Sequence, residues 1–144
     1  MKLDDMMDEW EKDSQMDQSE LGLESLRIPT LHHKYFKIFS QEGLLLKKLE
    51  SDYKVLLKLK TMYYMGTLSE EELEEQAWEP QPLKILKQDL PLFIEGDDDI
   101  RLLQNKIDIQ KQKLSFLESA IKTIINRGFL IKNAIDWERF KVGA

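Results

Sequence analysis

The chain has 144 residues, a formal net charge of −6 and no cysteine. Its length is that of a single domain, and the lack of thiols excludes disulfides, a cysteine nucleophile and thiolate metal sites. The longest stretch without a charged residue, Thr61–Ser69, is too short to cross a bilayer, and the first residues are too acidic for a signal peptide. We therefore expect a soluble, intracellular protein.

The charges alternate in sign along the chain. The net charge is −7 over residues 1–26, +5 over 27–63, −9 over 64–100 and +5 over 101–144. A protein that coats nucleic acid along its whole surface carries uniform positive potential, and this pattern argues against that class. A local basic patch stays compatible with the pattern, because salt screens exposed charges beyond about 8–10 Å.

A first long helix is predicted from Thr30 to about Met65. Pro29 stands at its start and Gly66 at its end, where each residue type favours a helix boundary. Apolar residues recur every three or four positions along one seam, as in a coiled coil. Two polar residues in this seam either set its register or indicate that it shifts. The seam is Tyr35, Ile38, Glu42, Leu45, Leu49, Asp52, Leu56, Leu59 and Tyr63.

The middle of the chain is acidic and rich in proline. Ser69 with Glu72 three residues later is a capping box, which predicts a short helix ending near Ala77. Residues 82–95 are predicted as short extended pieces, with a β-hairpin as one option. Pro91 moves such a hairpin toward a sheet edge or a loop.

A second long helix follows Asp97–Asp99, where carboxylates stabilise a helix N-terminus. Gly128 is predicted to interrupt it, and a last helix is predicted from Phe129 or Leu130 to about Val142. The apolar seam of the second helix is Leu103, Ile107, Gln110, Leu114, Leu117, Ile121 and Ile124.

The predicted fold is mainly α, with two long amphipathic helices and shorter terminal helices. We divide the chain into an N-terminal helical region over 1–79, a Pro-rich acidic connector over 80–100, and a C-terminal helical region over 101–144.

No catalytic or metal-binding constellation is evident in the sequence. A phosphate-binding Gly-rich loop is absent, which argues against an ATPase. His32 and His33 diverge by about 100° on a helix, so they do not chelate one ion together. The acidic runs lack the spacing and the glycine of a calcium loop. We expect no metal, no cofactor and no enzymatic activity.

A basic stripe with neighbouring aromatic residues is the strongest candidate site. Three of its lysines fall within about 40° of one another on a helical wheel. Lysines that neutralise phosphates, next to rings that stack on bases, form single-stranded nucleic-acid sites. The alternative is a solvated lysine face with tyrosines in the helix seam. The candidate residues are Lys47, Lys54, Lys58, Lys60, Tyr63 and Tyr64.

The apolar faces of the C-terminal helices have two interpretations. They either fill the core of one protomer or mediate self-association, because long helices in a short chain leave apolar seams uncovered. The residues assigned to oligomerisation are Leu117, Ile121, Ile124, Phe129, Ile131, Ile135 and Phe140.

Two segments resemble the UvsY-type recombination mediators of T4-like bacteriophages. The stretch Leu56–Gly66, LLKLKTMYYMG, is similar to that family's Lys-x-Arg…Tyr-Tyr-x-Gly motif. Ile121–Lys122 with Arg127–Lys132, RGFLIK, is similar to its closing Ala-Ile-Lys…Arg-Gly-Phe-x-Ile-Lys segment, and Asp136…Phe140…Gly143 continues that match.

The resemblance implies a ring of six or seven subunits that binds single-stranded DNA without a cofactor. It assigns DNA binding to the region over 1–79 and oligomerisation to the region over 101–144. Such a mediator helps load the phage recombinase onto DNA covered by the single-strand-binding protein, in the cytoplasm of the infected host cell. The two basic residues of the motif, which the resemblance implies contact DNA, correspond to Lys58 and Lys60. Lysine in place of the second arginine keeps the charge and loses the planar fork.

The resemblance transfers no role to Glu70–Trp78, which departs from the family's pattern. A second hypothesis of another class stays open at this point, namely a helical adaptor or scaffold that binds protein partners through its seams.

Overall fold

A computed structural model of the chain describes residues 1–143, and this described part is helical without a β-strand. The mainly-α prediction is therefore confirmed. No helix of the described residues is long and apolar enough to span a membrane. The helices are α1 (Leu3–Asp13), α2 (Leu21–Tyr64), α3 (Glu70–Gln76), a 3₁₀ turn (Lys87–Asp89), α4 (Leu90–Glu95), α5 (Asp98–Ile125) and α6 (Arg127–Lys141).

The chain forms two compact units. Unit 1 comprises Met1–Gly43 and the chain from Gln112 onward, and unit 2 comprises Leu44–Lys111. The division into a DNA-binding region, a connector and an oligomerising region concerns function and stays a prediction.

Unit 1 has an apolar core to which α1, α2 and α5 contribute. The Trp10 ring stands edge-on to the buried Tyr35 ring, with centroids 5.2 Å apart. Burial of such large apolar side chains is the main source of stability for this unit. The buried core residues are Met6, Leu31, Tyr35, Leu117, Ala120 and Ile124.

A buried arginine connects three helices of unit 1. Arg127, the first residue of α6, is 1 % exposed and lies 3.5 Å from the Glu24 carboxylate of α2. Its second guanidinium nitrogen donates a hydrogen bond to the backbone carbonyl of Asp13, at the end of α1. The Asp13 side chain in turn accepts a hydrogen bond from the Tyr35 hydroxyl at 2.8 Å. Arg127 therefore holds α1, α2 and α6 together.

The predicted start of the first long helix was wrong by nine residues. α2 begins at Leu21 and continues through Pro29, although proline removes one backbone hydrogen bond. Ile28 and Leu31 flank this proline and both pack in the unit 1 core, whereas Pro29 itself is exposed. The core packing of Ile28 and Leu31 outweighs the loss of one backbone hydrogen bond at Pro29.

The predicted boundaries around residues 66–77 are confirmed. Gly66 has a φ of +72°, and the amides of Gly66 and Thr67 bond back to Tyr63 and Met62, which is a Schellman end. The Ser69 hydroxyl accepts a hydrogen bond from the Glu72 amide at 3.2 Å and so caps α3.

The β-hairpin considered for residues 82–95 was wrong. The 3₁₀ turn and α4 occupy the second half of this segment, with Pro91 in the first turn of α4. Proline is tolerated there because the first helical amides need no intrahelical acceptor. The Phe93 ring of α4 lies 5.8 Å from the Tyr64 ring, and this contact gives α4 a tertiary anchor.

The break before the last helix was predicted two residues too late. It falls at Asn126, and Gly128 lies inside the first turn of α6. The early start of α6 is consistent with the buried contacts of Arg127, which fix the first residue of that helix.

Candidate nucleic-acid interface

Three lysines of α2 form an exposed stripe in unit 2. Lys47, Lys54 and Lys58 are all exposed, and within residues 1–143 none of their ammonium groups is held in an ion pair. Their positions on one helical face place them along about 16 Å of the helix axis. We call these three residues the lysine stripe. Exposed cations without internal partners are available to bind phosphates.

Lys60 lies on the other side of α2. Two residues of α-helix turn through about 200°, so Lys60 and Lys58 point about 160° apart. Lys60 is 5 % exposed, and its ammonium lies 3.1 Å from an Asp97 oxygen and 2.8 Å from an Asp99 oxygen. The Trp78 ring covers it with the centroid at 4.0 Å, a cation–π contact. We call Lys60, Trp78, Asp97 and Asp99 the lysine cage.

Asp97 is the most firmly held member of the cage. Its carboxylate accepts a hydrogen bond of 3.0 Å from the Ile100 amide, which caps α5, and one of 2.6 Å from the Tyr64 hydroxyl. Burial opposes its ionisation, but these hydrogen bonds and the Lys60 ammonium outweigh that effect and hold the pKa of Asp97 below its usual value. Burial, followed by the bond to Asp97, raises the pKa of Tyr64.

The two tyrosines of the motif are engaged inside unit 2. The Tyr63 hydroxyl donates a hydrogen bond of 2.6 Å to the Glu79 carbonyl, and its ring lies 5.3 Å from the Trp78 ring. Tyr64 packs on Phe93 and bonds Asp97. These contacts fit the alternative in which the tyrosines belong to the helix seam, and their stacking on bases stays a prediction.

The burial of Lys60 was not predicted from the sequence, because a period of 3.5 residues places Lys60 outside the apolar seam of α2. Eighteen residues separate Lys60 from the buried Glu42, which is five full turns at 3.6 residues per turn. Both side chains therefore face the same side of α2. Leu45 and Asp52, which the 3.5 period placed in the seam, are exposed. Of the two polar seam positions, Glu42 stays buried in the seam, whereas the seam shifts away from Asp52.

Trp78 was given no role from the sequence. It follows Ala77, which adopts the left-handed conformation with φ of 58° at the end of α3. This turn brings the Trp78 ring back over α2, onto Lys60 and Tyr63. The sequence gives only a weak indication of this ring position, namely a tryptophan that directly follows a capped acidic helix.

The C-terminal residues assigned to oligomerisation separate into two groups. Leu117, Ile124 and Ile131 are buried in unit 1, and Ile121 is partly buried against its core, so these residues fill the protomer itself. Ile135 is half-buried. Phe129 and Phe140 are 70 % and 73 % exposed. Exposed apolar residues near them are Ile125, Trp137 and Val142.

The fold and the lysine stripe together define a helical protein. It has a cationic face on a long helix, without ion-pair partners among residues 1–143, and exposed aromatic residues on its last helix. The sequence model of the family described as "Recombination, repair and ssDNA binding protein UvsY" matches residues 9–144. The chain belongs to this family, and the resemblance found in its two motifs is confirmed.

The chain is also similar to individual phage proteins over nearly its whole length. It is 26 % identical over 143 residues to "Recombination protein uvsY" of Enterobacteria phage T4, covering 99 % of each chain. Two crystal structures of the bacteriophage T4 recombination mediator protein UvsY share its fold. One has a TM-score of 0.86 at 25 % identity, covering 99 % of this chain and 98 % of that one. The other has a TM-score of 0.85 at 24 % identity, covering 97 % and 99 %.

Proposed function

We propose that this protein is a non-enzymatic recombination mediator that binds single-stranded DNA and helps load a recombinase onto DNA covered by single-strand-binding protein. Membership of the UvsY family supports the roles in recombination, repair and single-stranded DNA binding. The protein acts in the cytoplasm of an infected host cell. Its partners are the recombinase and the single-strand-binding protein, and it needs no cofactor.

The lysine stripe is the observation that carries the DNA-binding part of this proposal. Its three ammonium groups are exposed on one face of α2, whereas the ammonium of Lys60 is already paired with two carboxylates. We therefore propose that Lys54 and Lys58, with Lys47, supply the primary phosphate contacts. Lys60 has a different part in the site, because its charge is neutralised within unit 2.

Replacing Lys54 and Lys58 together with Ala is expected to weaken binding of an oligo(dT) strand and to reduce its salt dependence. Each lost phosphate contact removes about 0.7 from the log–log salt slope on a single strand. Fluorescence anisotropy at several salt concentrations measures both quantities. The Lys106→Ala, Lys111→Ala variant removes the same charge from exposed positions of α5 and is the matched control.

Equal losses of oligo(dT) affinity and of salt slope in the two double variants would place the DNA contacts outside the lysine stripe. A wild-type protein that does not bind oligo(dT) in a salt-dependent way would favour the helical adaptor that binds protein partners.

We propose that self-association uses the exposed aromatic residues of α6, in a ring of six or seven subunits. The Trp137 and Phe140 rings stack with centroids 5.6 Å apart and are exposed, as is Phe129. Exposed apolar clusters of this kind are typical of subunit interfaces. A ring repeats the lysine stripe once per subunit, and weak contacts then add through a high effective concentration.

The Phe129→Asp, Phe140→Asp variant is expected to be smaller in solution than the wild type, because it places unpaired charges in the interface. Light scattering at tens of micromolar protein measures the mass. Phe36→Asp, at an exposed phenylalanine of α2, is the control and is expected to keep the wild-type mass. A wild type that is monomeric at this concentration would contradict the proposal.

A further inference from the structure

The two carboxylates of the lysine cage are held very differently. Asp97 is buried and has two further hydrogen bonds, from the Ile100 amide and the Tyr64 hydroxyl. The side chain of Asp99 is 53 % exposed, and its only partner among the described residues is the Lys60 ammonium. Asp97 is therefore a fixed member of the cage, whereas Asp99 can leave it without breaking another contact.

Asp99 is also the more exposed of the two carboxylates that pair with the Lys60 ammonium. Trp78 covers Lys60 on one side and Asp97 is buried against it, so Asp99 is the exposed part of the cage. An anion that reaches Lys60 from solvent takes the position of the Asp99 carboxylate. A phosphate oxygen of a nucleic acid has the same charge and hydrogen-bonding capacity as the carboxylate oxygen that it replaces.

We propose that Asp99 is an internal competitor of DNA, which occupies Lys60 until a backbone phosphate displaces it. This inference rests on the proposed function, in which the protein binds single-stranded DNA through the lysine stripe. Lys60 keeps its bond to Asp97 throughout, and only the Asp99 pair is exchanged for a phosphate pair. Each subunit thus has one further phosphate contact, which forms only after the Lys60–Asp99 ion pair breaks. DNA binding at Lys60 is weakened by the free energy needed to break this pair.

The Asp99→Asn variant is expected to bind oligo(dT) about five-fold more tightly than Asp98→Asn at low salt, in line with the weak strength of an exposed ion pair. Its salt slope is expected to be steeper by up to roughly 0.7 per bound subunit, because in Asp98→Asn the phosphate has to displace Asp99 and forms the Lys60 contact in only part of the bound subunits. Asp98→Asn removes the same charge from the same turn of α5 at an exposed residue outside the cage, so it corrects for the general change in potential.

Chemical labelling of lysines supplies a readout that needs no DNA. Lys60 is expected to be acetylated slowly in the wild type and in Asp98→Asn, and several times faster in Asp99→Asn, as read by peptide mass spectrometry. Added oligo(dT) is expected to protect Lys60 in Asp99→Asn. Circular dichroism confirms that each variant is folded before labelling.

Equal oligo(dT) affinity and salt slope in Asp99→Asn and Asp98→Asn would overturn the proposal. So would equal labelling rates of Lys60 in these two variants, whatever the protein does with DNA. If instead labelling behaves as expected but the Lys54, Lys58 double variant binds DNA like the wild type, the proposed function fails at the lysine stripe. The two failures are therefore distinguishable.

Discussion

Replacement of Arg127 by Met is expected to lower the free energy of unfolding by about 3 kcal/mol. Removing one partner of a buried ion pair costs about 3–5 kcal/mol, because the other charge stays buried. Glu24, the partner, is buried but keeps its two contacts with Arg27 at 3.0 and 3.1 Å, which places the loss near the lower limit. The Asp13 carbonyl also loses its donor from α6.

Denaturant unfolding followed by circular dichroism measures this loss. Arg139→Met is the matched control, since Arg139 lies on an exposed face of the same helix and its variant is expected to stay within about 0.5 kcal/mol of the wild type. Equal stabilities of the Arg127 and Arg139 variants would show that the buried network contributes nothing to unit 1.

Replacement of Lys60 by Met is expected to destabilise the protein by about 3 kcal/mol, whereas Lys58→Met leaves stability within about 0.5 kcal/mol. Lys60 is buried between Asp97 and the Trp78 ring, and its removal leaves the Asp97 charge buried with only two hydrogen bonds. Lys58 is exposed and has no such partner among the described residues. For DNA binding the order of the two variants is expected to be reversed. At moderate salt, Lys58→Met is expected to lose more oligo(dT) affinity than Lys60→Met.

The pH dependence of stability provides an independent check on the cage. Because the pKa of Asp97 is lowered in the folded protein, its charged form stabilises the fold above the unfolded pKa of about 3.9. That contribution is lost as the pH falls through the lower folded pKa. In Lys60→Met the folded pKa rises toward the unfolded value, so less of this stabilisation exists at neutral pH and its loss is complete at a higher pH. Parallel acid profiles for wild type and variant would contradict this account.

Local sequence signals determined the helical elements and several of their ends. Gly66 stops α2 because glycine takes a positive φ without strain, and Ser69 begins α3 because its hydroxyl caps a free amide. Each of these signals acts over four or five residues, so no tertiary contact is needed to interpret it. The motif around Lys58 and the C-terminal motif were likewise sufficient to indicate the family, which the comparison over residues 9–144 confirms.

Where local and tertiary preferences compete, local rules predicted a wrong helix boundary or a wrong element. Pro29 marks a helix start by local rules, yet Ile28 and Leu31 extend α2 through it by packing in a core that residues far along the chain complete. The segment around Pro91 permits an extended or a helical form, and the contact between Phe93 and Tyr64 favours the helix.

The environments of Arg127, Lys60 and Lys58 were decided only by the tertiary structure. Lys58 and Lys60 are equivalent in the motif, but α2 turns about 100° per residue and places them on opposite sides. Asp97, Asp99 and Trp78, which bury Lys60, come from segments 18 to 39 residues further along the chain. Arg127 is a motif residue whose partners, Glu24 and Asp13, lie more than 100 residues away. The residue type of a charged side chain does not show whether it lies in solvent or is buried. Its environment depends on which distant residues the fold brings beside it.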